Sequence, residues 1–191
     1  MSDDVLQGLL EYVDPVWALV PLLFVVFFIS RIISFDRFGL VPRRVSGMSG
    51  IVMMVLLHDD LKHLIANVVP LVVLIALLLI YRLVPPWAVV VLVQVCGGTA
   101  LWLIGRRANH IGASLLVFGL VGFHMANGYF QSNIANVIVA LVVAVLYGGT
   151  FLSSVVPWKQ GSSWDGHLCG FIAGVAVAYG LAREELLPYL L

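Results

Sequence analysis

Six apolar stretches, each close to the ~20 residues that a membrane-spanning helix needs, recur along this 191-residue chain with almost no charge inside them. Segments that long and that apolar must lie in lipid or in a large protein core. Composition decides between the two: 62% hydrophobic and 10% charged residues, with a mean hydropathy of +1.08, do not describe a water-soluble globule. The stretches also lack the short alternation of a membrane barrel. The expected fold is therefore an all-α integral membrane bundle of six transmembrane helices.

Charges, prolines and polar clusters put the spans at about 15–34, 63–82, 87–105, 112–130, 134–156 and 167–184. The residues before the first span are acidic (Asp3, Asp4, Glu11, Asp14) and include no basic n-region, so that span is read as retained and not as a cleaved signal. With no long Ser- or Pro-rich linker, residues 1–191 are read as a single domain. The connection from Phe35 to Lys62 mixes arginines (Arg37, Arg43, Arg44) with apolar residues and is expected to form short interfacial helices. The polar stretch from Pro157 to Trp164 is expected to be a mobile gate. Cys96 and Cys169 fall inside spans and are read as buried, unbridged thiols.

Two spans open on groups that carry chemistry. Gly112-Ala113-Ser114 begins the fourth, and Asp165-Gly166-His167 begins the sixth. A serine and a histidine at the mouths of two membrane helices can meet at one depth, a nucleophile beside its general base. A third group precedes and enters the second span: His58, His63 and Asn67. His63 and Asn67 are four residues apart and share a helical face. A lone interfacial histidine is commonly a structural hydrogen-bonder, but two polar side chains on one face usually point to a polar cavity. His167, Gly170 and Gly174 lie along one stripe, where glycines let another helix approach. That pattern by itself indicates packing alone.

Taken together, His58, His63 and Asn67, the Gly112-Ala113-Ser114 run, and Gly166-His167-Leu168-Cys169-Gly170 with Gly174 resemble the rhomboid family of intramembrane serine proteases, in order, spacing and helix placement. The resemblance covers the whole six-helix core. It implies Ser114 as nucleophile and His167 as base, and the Ser114 backbone N–H with the His63 and Asn67 side chains as oxyanion donors. It also implies supporting roles for His58, Gly112 and Phe118, the last as an aromatic ring against the histidine. Gly170 and Gly174 would bring His167 close to Ser114. The expected partners are transmembrane protein substrates and the lipid bilayer, in the cell membrane of a prokaryote. Neither a metal, a soluble cofactor nor a nucleic-acid partner is expected, since the chain has no His-Glu-x-x-His and no nucleotide-binding loop.

The chain departs from the family pattern after the serine, where glycine is common and Leu115 stands. Leucine would narrow the substrate channel or disturb the packing that sets the serine rotamer. It is the one feature favouring a different class, a catalytically silent relative that binds membrane clients without cutting. A small transporter is disfavoured because few charges lie within the spans. Sidedness stays open. The loops at the Ser114 end carry Arg37, Arg43, Arg44, Lys62, Arg106, Arg107 and Lys159, which the positive-inside rule assigns to the cytoplasm, whereas bacterial members of the family usually open outward.

Overall fold

The computed structural model describes residues 15–81, 85–131, 133–156 and 163–183. Within them the secondary structure is helical apart from an isolated bridge between Leu40 and His110. A 3-10 turn, Pro15–Ala18, leads into α1 (Leu19–Ser30); α2 is Gly50–Met53, α3 Leu61–Leu78, α4 Pro86–Ile104, α5 Ser114–Gln131, α6 Ile134–Ser154 and α7 Trp164–Ala182.

The starts of these helices follow from local chemistry. The Asp60 carboxylate accepts the His63 backbone N–H at 2.7 Å and caps α3, and the Asn133 side chain does the same for Asn136 at 3.0 Å in α6. Pro86 opens α4 at a position where its missing N–H costs nothing.

Four helices, α3, α4, α6 and α7, are long and apolar enough to cross a membrane. The other two expected spans fall outside that set for different reasons. The first ends at Ser30 instead of near residue 34 and, with its leading turn, is a shorter apolar helix. The fourth, α5, has the length but is diluted by His124, Asn127, Gln131 and several glycines. It tolerates them because it runs through the middle of the bundle, every residue from Leu115 to His124 being buried. His124, for instance, hydrogen-bonds the Leu74 carbonyl of α3 at 3.0 Å and the Tyr81 hydroxyl at 2.8 Å.

Helices α5 and α7 approach backbone to backbone. A Cβ placed on Gly170 would collide with the Leu115 carbonyl oxygen, and one on Gly174 with that of Gly119. Both glycines thus serve the close approach read from their spacing. By contrast α6 is lightly held: 17% of its apolar stretch is buried, against 50% for α7.

The connection between α1 and α3 does form short helices, Asp36–Phe38, Val45–Gly47, α2 and Met54–Leu56. It is pinned to α4: Gln94 donates to the Ile51 carbonyl at 2.7 Å, and the Trp102 indole N–H to the Arg44 carbonyl at 3.0 Å. Arg43, although exposed, donates to the Leu103 and Gly105 carbonyls at 3.2 and 2.8 Å, satisfying the end of α4. Of the expected gate from Pro157 to Trp164, all but Ser163 and Trp164 lie outside the described residues. Both cysteines are unbridged; Cys169 is buried, but Cys96 is exposed, a thiol being apolar enough to face lipid.

Candidate active site

Ser114 is the first residue of α5, where unpaired backbone N–H groups and the positive end of the helix dipole converge. The preceding turn is built to present it. His110 and Leu40 exchange backbone hydrogen bonds at 2.8 and 2.9 Å, and the Gly112 N–H donates to the Met54 carbonyl at 2.9 Å. Gly112 has φ +105°, and a Cβ there would stand 2.7 Å from His63 Nε2. Only glycine combines that backbone conformation with that proximity.

His167 lies in the first turn of α7, with its Nε2 3.2 Å from Ser114 Oγ. Its other ring nitrogen, Nδ1, is 3.2 Å from the carbonyl oxygen of Ser154. A carbonyl can only accept, so Nδ1 carries the proton and Nε2 offers its lone pair to the serine hydroxyl. Ser154 ends α6. Its carbonyl lies in the last turn of that helix, at the negative end of the helix dipole, where an imidazolium is favoured. Phe118, one turn beyond Ser114, packs its ring 4.6 Å from the imidazole and 5.7 Å from Phe151. It is 7% exposed, so it belongs to the core and backs the histidine at once.

His63 and Asn67 project from the first turns of α3 on the face toward Gly112. The Asn67 amide donates one hydrogen to the His63 carbonyl at 3.0 Å, leaving its second for a ligand. His58 is buried, with its ring 5.0 Å from that of His63. Burial first, and the neighbouring His63 second, push it down to about 4, so it is neutral and its Nε2 accepts the Ala113 N–H at 3.4 Å. It thereby supports the turn before the serine. His63, Asn67, Ser114, Phe118, Ser154 and His167 all line one cavity of about 540 Å³.

Leu115 points elsewhere. It is buried in an apolar cluster with Leu40, Met54, Leu101 and Cys169, and its Cδ2 lies 2.9 Å from where a Cβ on Gly97 would be. The missing side chain on α4 makes room for the extra one on α5.

Sequence reasoning missed three contributions. The Ser154 carbonyl is invisible to it, because every residue has one. Asp60 sat in the motif without a role, although an aspartate three residues before a helical histidine is a cap signal. No local pattern joins Arg106, His110, Ser163 and Asp165, yet these four form a hydrogen-bonded cluster around the buried His110 and Asp165, with Arg106, His110 and Ser163 lining the cavity. Among the described residues no three His, Cys, Asp or Glu side chains group as a metal site would require.

Comparison with known proteins adds two findings. A family model described as Rhomboid domain matches residues 45–184. The chain is also similar to uncharacterized proteins of Mycobacterium tuberculosis (strain H37Rv) and Mycobacterium bovis, 37% identical over 159 residues, 78% of this chain and 66% of each relative. An uncharacterized protein of Mycobacterium leprae is 37% identical over 163 residues, 80% of this chain and 63% of the relative. The chain thus spans just under two thirds of the length of these relatives.

Proposed function

This chain belongs to the rhomboid family, and from that premise we propose that it is an intramembrane serine endopeptidase cutting peptide bonds in or near transmembrane segments of other membrane proteins. The observation that carries the reading is the Ser114 hydroxyl 3.2 Å from an imidazole nitrogen whose partner nitrogen is held by a backbone carbonyl. On this reading α1 and α5 complete a six-span, single-domain bundle in a prokaryotic cell membrane.

In the proposed reaction Ser114 Oγ attacks the scissile carbonyl carbon while His167 Nε2 takes the hydroxyl proton. The negative charge that develops on the carbonyl oxygen meets the Ser114 N–H, His63 and Asn67, donors typically worth ~3–4 kcal/mol each in a water-poor site. His167 then passes the proton to the leaving amine, which departs and leaves an acyl ester on Ser114. Water, deprotonated by His167, attacks the ester, releases the carboxylate product and restores the serine. The Ser154 carbonyl and the Phe118 ring do the orienting that a carboxylate does in the soluble triad.

The rival, a silent client-binding protein, rested on Leu115. Its burial against Gly97 and Cys169 removes the expected obstruction of the channel, which supports the enzymatic reading. The test is reconstitution in proteoliposomes with a panel of single-span reporter proteins, followed by mass mapping of fragments. Cleavage by the wild type and none by Ser114→Ala is expected. Fragments that persist with Ser114→Ala, or reporters that bind and stay intact throughout, would overturn it.

A further inference from the structure

The turn before the serine and the turn before the histidine are tied together by side chains that touch neither reacting atom. Asp165, two residues before His167, is 6% exposed. One carboxylate oxygen accepts the Arg106 backbone N–H at 2.8 Å and the other the Arg106 guanidinium at 3.0 Å. A buried carboxylate is costly unless both oxygens are satisfied, and here one residue satisfies both. The guanidinium also lies over the Trp164 ring, 5.3 Å from its centre.

A second tie runs beside the first. His110, four residues before Ser114 and 3% exposed, donates from Nε2 to the Arg106 carbonyl at 3.1 Å. Its Nδ1 pairs with Ser163 Oγ at 2.7 Å. Ser163 in turn gives its backbone carbonyl to the His167 N–H at 3.0 Å. The residue four before the nucleophile is thus bonded to the residue four before the base. Between them the two ties lock segment 106–110 to the first turn of α7.

His167 already has both ring nitrogens engaged, by Ser154 and Ser114, so Asp165 is not the missing carboxylate of a triad. Its geometry points at the backbone. We propose that the Arg106–Asp165 and His110–Ser163 ties are the clamp that sets the distance between Ser114 and His167, with Asp165 as its principal positioning residue. This rests on the reading of Ser114 and His167 as the reacting pair. It assigns a buried charge to keeping two independently folded helix ends in register, a task the glycine contact between α5 and α7 does further down the bundle.

The test is the kinetics of labelling by a fluorophosphonate fluorophore in detergent, resolved into the maximal rate and the half-saturating probe concentration. It compares wild type, Asp165→Asn, Arg106→Met and the double variant, with thermal melting of each. Misplacing the base slows the chemistry and leaves probe binding alone, so Asp165→Asn should lower the maximal rate by about tenfold or more at unchanged half-saturation. Arg106→Met should lose less, because the backbone N–H remains. The double variant should be no slower than Asp165→Asn, as expected of residues acting through one contact.

Wild-type rate in Asp165→Asn, or a loss that disappears when the rate is expressed per folded molecule, would overturn the clamp while leaving the reacting pair intact. Additive losses would also overturn it. If Asp165→Asn does not fold, Ser163→Ala, which deletes a single hydroxyl, decides: a reduced maximal rate in a normally melting protein supports the clamp, an unchanged one overturns it. A folded wild type that never labels would instead overturn the reacting pair, and the clamp with it.

Discussion

The carbonyl oxygen of Ser154 stands 3.2 Å from Nδ1 of His167, where a soluble serine protease holds a carboxylate. A neutral acceptor at a helix C-terminus can fix a tautomer without burying a second charge. Selective ¹⁵N labelling of histidine, assigned with His167→Asn, should therefore show neutral His167 protonated on Nδ1. Protonation on Nε2 would contradict the arrangement, because that tautomer cannot take the serine proton.

Phe118 touches His167 at a ring distance of 4.6 Å and is supported from behind by Phe151. Phe118→Ala frees the imidazole to swing, and a misplacement on the order of 1 Å costs roughly 10²-fold in rate. Phe118→Tyr keeps the ring and should retain most activity. Equal losses in the two variants would assign Phe118 to packing alone.

Leu115 is 1% exposed and fits beside Gly97. Leu115→Gly, which restores the common family residue, should not raise activity. It should instead open a cavity and cost about 2–4 kcal/mol, as large-to-small core changes do, read as a lower melting temperature in detergent. A faster, equally stable Leu115→Gly would mean that the leucine does obstruct the channel.

The His58 imidazole carries a pH dependence of stability. Its folded value of about 4 lies below the ordinary 6.5, so between those pH values the unfolded chain binds more protons than the folded one. Stability is then full above about pH 6.5 and falls as pH drops toward 4, by about 3 kcal/mol in all. Melting temperatures across that range should decline, and His58→Gln should flatten the decline. An unchanged slope in His58→Gln would place its origin elsewhere.

Much of this site is legible along the chain because helix starts have signatures. Ser114 and His167 stand at the mouths of apolar runs, Gly112 and Gly170 mark close approaches, and His63 with Asn67 share a face. What escaped has a physical reason in each case. The Ser154 carbonyl has no side-chain signal. The Asp165 pairing with Arg106 joins residues 59 apart in the chain that no local pattern links. Leu115 reads as an obstruction until Gly97, on another helix, is seen to receive it. The central helix α5 reads as an ordinary span, although its polar residues are tolerable only because protein, not lipid, surrounds them. The arginine count around the Ser114 mouth likewise mixes headgroup candidates with Arg43 and Arg106, whose guanidinium groups are committed to protein acceptors.

The most direct measurement is the site and stoichiometry of fluorophosphonate labelling in the folded, detergent-solubilised wild type, mapped by peptide mass spectrometry beside Ser114→Ala and His167→Ala. One adduct per chain on Ser114 is expected, absent in Ser114→Ala and slowed by roughly 10³-fold or more in His167→Ala. No adduct on Ser114 while a control rhomboid reacts, or an adduct that forms as fast without His167, would contradict the serine–histidine pair as the working chemistry.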